Sequence, residues 1–167
     1  MNLPTKTPIE LLADWQKGIR IWHMAHARSS TLYEKYSRIL GVSVIIISAI
    51  VGTSIFADLS ASLSDAWKFI TGGLSALAII LASIQTFMNY SELAEKHRIA
   101  SQKYGALRRL VEDHLSTPPA DMDTVLGEVR AEWDAIEQES PNVPQRIYDK
   151  SRADVHQRIA QQENSQA

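Results

Sequence analysis

Two uncharged apolar runs separated by a short polar gap constrain this chain more than any other feature. The first covers residues 39–57, 19 residues between Arg38 and Asp58; the second covers residues 69–91, 23 residues between Lys68 and Glu92. At about 1.5 Å per helical residue they reach roughly 28 and 34 Å, against a hydrocarbon core of about 30 Å. A surface helix of a soluble bundle carries charge along one face, and neither run does. The pattern therefore predicts an all-α membrane protein: a two-transmembrane helical hairpin whose long helices extend into a cytosolic helical bundle. Whole-chain averages conceal this, because a mean hydropathy of −0.15 suits an ordinary soluble domain.

Charge sets the expected topology. Residues 1–38 carry a net +3, residues 39–91 a net −1 and residues 92–167 a net −4. Arg20, Arg28, Lys35 and Arg38 precede the first run, and Lys96, Arg98, Lys103, Arg108 and Arg109 follow the second. Only Lys68 lies in the gap. Because Lys and Arg near span ends resist translocation, the chain is expected to be multi-pass in the inner (plasma) membrane with both termini cytoplasmic. Residues 58–68 then form an outer loop. Phe56 and Trp67 fall at the outer interface and Tyr36 and Tyr90 at the inner one. The N-terminal residues lack an apolar signal-peptide core, so the first run is expected to stay as an anchor.

Capping signals and periodicity place the helices. Thr7-Pro8-Ile9-Glu10 reads as a cap, a first-turn Pro and a Glu three residues after the cap. Leu12, Trp15, Ile19, Trp22, His26, Ser29, Tyr33, Tyr36 and Leu40 then recur every three or four residues, so one helix is expected over 8–38, continuing through the span 39–57. Ser64 is a candidate cap for the next helix, whose span 69–91 continues into a cytosolic helix over 92–115, with Leu93, His97, Ala100, Tyr104, Leu107 and Val111 as its seam. Thr117-Pro118-Pro119 ends it. Residues 121–161 form the C-terminal cytosolic helices, broken at Ser140-Pro141-Asn142-Val143-Pro144; Met122, Val125, Val129, Trp133 and Ile136 share a face of the first. The polar tail 162–167 is expected to be disordered.

Within the second run, Thr71, Ser75, Ala78, Ala82, Gln85 and Asn89 are spaced 4, 3, 4, 3 and 4, so small and polar side chains share one face. The first run offers Ser48 and Gly52 at a small-xxx-small spacing. Small residues let helices approach closely in lipid, and polar ones hydrogen-bond across the contact. The stripe is either the packing seam of one hairpin or a face turned to neighbouring subunits and a wet lumen. With no charge ring, such a pore would discriminate poorly between ion signs.

Catalytic chemistry is missing from the pattern. There are no cysteines, which excludes disulfides, thiolate catalysis and Cys-bound metals. There is no phosphate-cradling Gly loop and no nucleophile elbow. His23 and His26 sit three apart without a neighbouring carboxylate, so no metal and no cofactor is expected. His97 falls at the cytosolic membrane edge just past the second span, beside Glu95 and Arg98, as an interfacial seam residue that could titrate near neutrality. No stretch is a polybasic nucleic-acid footprint.

The order Trp22-His23, Tyr33, Tyr36-Ser37-Arg38, Leu40-Gly41-Val42, Ala49-Ile50-Val51-Gly52-Thr53, Gly72-Gly73-Leu74-Ser75, Gln85-Thr86-Phe87 and Tyr90-Ser91-Glu92-Leu93-Ala94-Glu95-Lys96-His97-Arg98, then Tyr104 and Ser140-Pro141-x-x-Pro144, resembles the SLATT domain. These are two-transmembrane effectors associated with SMODS nucleotidyltransferases and SLOG sensors in prokaryotic conflict systems. The likeness makes 1–167 a single SLATT-like unit, with Glu92, Glu95, His97 and Arg98 as the motif at the cytosolic membrane edge. It implies a non-enzymatic effector that oligomerises with copies of itself in the bilayer and forms a pore or disrupts the inner membrane during anti-phage abortive infection. A separate sensor or nucleotide-signalling protein encoded nearby would supply the trigger. The alternative is a non-conducting membrane scaffold or receptor module that recruits a cytosolic partner. A phage-type holin fits less well, given the long flanks.

Overall fold

The computed structural model describes the backbone of residues 6–60 and 64–166 and their side chains except 55–60 and 166. The Phe56 side chain, and residues 61–63 of the expected outer loop, lie outside what is described. Five helices follow one another, α1 (Pro8–Ser60), α2 (Asp65–Met88), α3 (Tyr90–Ser116), α4 (Met122–Glu139) and α5 (Gln145–Gln166), with no strand among the described residues. The chain is all-α. It divides into a bundle unit, Met1–Thr31 with Ala94–Ala167, and a hairpin unit, Leu32–Leu93.

Local signals set most helix ends. The reciprocal box at the start of α1 forms: the Glu10 amide donates to Thr7 Oγ1 at 3.3 Å, and the Thr7 amide donates to Glu10 Oε2 at 2.9 Å. Asp121 caps α4, accepting from the Thr124 amide at 3.2 Å. Ser64 precedes α2 without a side-chain cap; its carbonyl accepts from the Trp67 and Lys68 amides.

The structure departs from the sequence reading at several helix ends. α1 runs to Ser60 and α2 starts at Asp65, both inside the expected loop 58–68, because helical hydrogen bonding continues past the apolar windows. The second helix is not continuous: α2 stops at Met88, and Asn89 adopts the left-handed conformation (φ 41°, ψ 47°) before α3 begins. Asn is among the few L-residues that enter this region at low cost, and it supplies a C-cap where Gly would otherwise serve. Backbone bonds bracket the break, from the Asn89 amide to the Gln85 carbonyl at 3.2 Å and from the Leu93 amide to the Asn89 carbonyl at 3.1 Å. The tail read as disordered is helical to Gln166. Its Gln and Glu side chains are good helix formers that extend a helix already anchored by buried Ser151 and Val155.

The bundle core joins four helices. Leu12 and Ile19 of α1, Tyr104, Leu107 and Val111 of α3, and Val125, Val129 and Ile136 of α4 are buried together, with Trp15, Trp22 and Trp133 packed on them. Val155 adds α5. Burying each such side chain contributes roughly 1.5–3 kcal/mol before entropy is counted.

The hairpin unit has the opposite character. Its 18-residue apolar windows have mean hydropathies of 1.8 and 1.7, and none of their residues is buried. Phe87 is 88% exposed and Ile45 69%. A contiguous apolar surface of this extent needs a cover, and both helices are long enough to cross a membrane.

Candidate functional site

The first candidate region is the polar face of the hairpin unit. Gly41 leaves room on α1, and a Cβ there would stand 3.6 Å from Gln85 Nε2. Tyr90 stacks on Tyr33 (centroids 5.9 Å, planes 16° apart) and lies 5.7 Å from Tyr36. The early part of the α1 span thus meets the late part of α2, which makes the pair antiparallel. Thr71, Ser75, Ala78, Ala82 and Gln85 are all half-buried, as are Ser37, Gly41, Val44, Ile47 and Val51 of α1. Gly52 is half-buried with open space at its Cβ position, whereas Ser48 is exposed.

The hydroxyls on this face do not reach across it. Thr71 donates to the Trp67 carbonyl at 3.0 Å, Ser75 to the Thr71 carbonyl at 2.9 Å and Thr53 to the Ala49 carbonyl at 2.8 Å. Each closes on its own helix four residues back, a competition that Ser and Thr commonly win in apolar surroundings. The expectation of hydroxyl bonds across the contact therefore does not hold. Two amides remain. The Asn89 side chain donates to Glu92. The Gln85 side chain makes no hydrogen bond among the described residues and lines a cavity of about 320 Å³ with Ser37, Ala82, Thr86, Asn89, Tyr90 and Ser91. Sequence reasoning passed over Ser37 and Ser91 as members of this cluster. The signal available was their placement beside the tyrosines at the two ends of the spans.

The second region lies in the bundle unit. His97, read from sequence as an interfacial residue, is completely buried, and His26 is 1% exposed. Their Nδ1 atoms are 3.0 Å apart. Tyr104 stacks on His26 at 5.4 Å, and Trp22 stacks on Tyr104 at 6.4 Å. Burial and the neighbouring His97 hold the His26 imidazole down to about 4, and burial lowers His97 as well. Burial, with Arg108 and Arg109 nearby, lowers His23. It packs against Gly105, where a Cβ would stand 3.3 Å from its Nε2. His23 and His26 thus serve different contacts, and no group of three or more metal-ligating side chains occurs among the described residues. Of the remaining motif residues, Glu95 and Arg98 form an exposed two-bond pair at 2.8 Å, and Glu92 is exposed. Sequence reasoning also missed Arg28, which donates to buried Ser151 at 3.2 Å and pairs with Asp154.

An antiparallel apolar hairpin with a polar end, carried on a chain with a four-helix core, is the arrangement expected of a two-transmembrane domain. The family model described as SMODS and SLOG-associating 2TM effector domain family 4 matches residues 19–153. The chain belongs to this family. No curated protein and no solved structure matches it. The SLATT family description makes the chain a two-transmembrane effector domain associated with SMODS and SLOG systems, a membrane type and not a known catalytic family. The match covers the hairpin, both buried histidines and Arg28, and ends one residue before Asp154.

Proposed function

We propose that this SLATT domain oligomerises in the inner membrane, both termini cytoplasmic, and opens a path for ions when a separate sensor or nucleotide signal of a conflict system engages it. The observation that carries this reading is Gln85. It is a primary amide in an apolar span, beside a polar cavity, with no hydrogen-bond partner among the described residues. In lipid an amide without a partner costs several kcal/mol, so it calls for water or a second copy. The hydroxyls of Thr71 and Ser75 make no such demand, being satisfied by their own helix. Gln85 is thus the position where a neighbouring hairpin or a water column would be recognised, with Asn89, bonded to Glu92, lining the same cavity.

The half-burial of Thr71 to Gln85 favours a second reading, in which the stripe is the seam of one closed hairpin and the protein is a non-conducting scaffold for a cytosolic partner. Planar-bilayer recordings on the purified full chain separate the two. The pore reading expects stepwise conductance that falls at least tenfold in Gln85→Leu while protease protection shows unchanged insertion. A silent membrane at every protein-to-lipid ratio refutes the pore. Conductance indifferent to Gln85→Leu refutes the role given to the amide.

A further inference from the structure

The bundle unit holds a second cavity that owes nothing to the hairpin. Between α1 and α5 lies a groove of about 440 Å³ lined by Arg20, Arg158, Gln161, Gln162 and Ser165. That volume falls in the range of about 300–1,000 Å³ typical of small-molecule sites. Its two arginines converge on one groove, and neither is held in the way that four other arginines are. Arg28 is held by Asp154, Arg38 by Glu34, Arg98 by Glu95 and Arg108 by Glu112. Arg20 and Arg158 have no ion-pair partner among the described residues, although Arg20 is half-buried. No carboxylate lines the groove. Asp154, one turn before Arg158 on α5, feels its charge, but its carboxylate is bonded by Arg28.

We propose that this groove binds a phosphate-bearing anion, with Arg20 and Arg158 as its cationic clamp. Each guanidinium offers a planar fork of N–H donors matched to phosphate oxygens. A carboxylate would satisfy one fork, whereas a phosphate group has the charge and the oxygens for both. Ser165 donates its own proton to the Gln161 carbonyl at 2.8 Å, so the remaining donors are the two glutamine amides, which suit the polar edge of an ester. The groove exceeds a bare phosphate ion in volume, which points to a phosphate ester. Four of the five lining residues, all but Arg20, lie beyond the family match.

The probes are inorganic pyrophosphate and phosphatidylglycerol, which present the same chemistry from solution and from lipid. Pyrophosphate is titrated calorimetrically into the full chain held in phosphatidylcholine nanodiscs. Lipid adducts are counted by native mass spectrometry after release from mixed phosphatidylcholine and phosphatidylglycerol vesicles. Saturable pyrophosphate binding, at least tenfold weaker in Arg20→Gln and in Arg158→Gln but unchanged in Arg130→Gln, supports the site with a soluble ligand. Phosphatidylglycerol adducts with that same arginine dependence support it with a lipid headgroup. Gln162→Glu, which places a carboxylate in the groove without touching either arginine, should abolish whichever binding is seen while circular dichroism stays unchanged. Equal weakening in Arg130→Gln marks general charge attraction and overturns the site. So does the absence of both saturable pyrophosphate binding and arginine-dependent lipid adducts. Conductance plays no part in these readouts, so the pore reading stands or falls separately.

Discussion

Lowering the pH from 7.5 to 5.0 should destabilise the bundle through His26. Its imidazole is 1% exposed, faces His97 Nδ1 at 3.0 Å and is held down to about 4 from an unfolded value of 6.5. The folded value is depressed, so the unfolded chain takes up the proton first and folding stability falls as pH drops below the unfolded value. At 1.36 kcal/mol per pH unit the full loss is about 3.4 kcal/mol once pH passes below the folded value, and about 2 kcal/mol of it appears by pH 5.0. That is a factor of roughly 30 in the folding equilibrium. His97 and His23 are lowered too and act with the same sign. The lowered carboxylates Asp14, Glu95, Asp121, Glu139 and Asp154 start from 3.8 or 4.5, so most of their losses come below this window. The assay is urea unfolding of the full chain in a nonionic micelle, followed by tryptophan fluorescence in a Trp67→Phe background. Trp15, Trp22 and Trp133, all packed on the bundle core, then supply the signal. His26→Gln should be less stable at pH 7.5 but much flatter with pH. Equal stability of the parent at the two pH values, or greater stability at pH 5.0, refutes the buried neutral pair.

Three further outcomes follow. A Cβ at Gly18 would stand 2.8 Å from Trp133 Cη2, so Gly18→Ala should lose about 1 kcal/mol net. Overpacking of about 1–3 kcal/mol outweighs a helix-propensity gain of about 1 kcal/mol, and in a Trp133→Leu background the same change should become stabilising by the same unfolding assay. Asn89→Gly should be tolerated and Asn89→Ala should cost about 1 kcal/mol, read as faster hydrogen exchange at the Leu93 amide only in the alanine variant. Single cysteines at Ser62 and Gln157 test the topology in intact cells: an impermeant reagent should label the first and spare the second, and the reverse pattern inverts the assignment.

Much of the helix layout was legible because it is local. Thr7-Pro8 with Glu10, Thr117-Pro118-Pro119 and Ser140-Pro141 mark ends through backbone chemistry within a few residues, and the helices stop where these signals fall. The seams through Leu12, Ile19, Tyr104 and Val129 were legible for a related reason: burial on one face imposes a 3.6-residue period that needs no knowledge of the partner. Asn89 was legible only in part. Its residue type permits a left-handed break, but the regular stripe on either side argued for continuity.

The hairpin, its length and its family resemblance are determined by the sequence alone, since hydrocarbon thickness and charge-free length are properties of a single segment. Only the tertiary structure decided which side chains meet. His26 turns away from His23, three residues before it, to His97, 71 residues on. Arg28 finds Asp154 across 126 residues. Thr71 and Ser75 bond their own helix, while Gln85 faces a cavity beside Gly41. A polar side chain chooses between its own backbone and a distant partner, and that choice depends on which helix faces pack together. No local pattern carries that information.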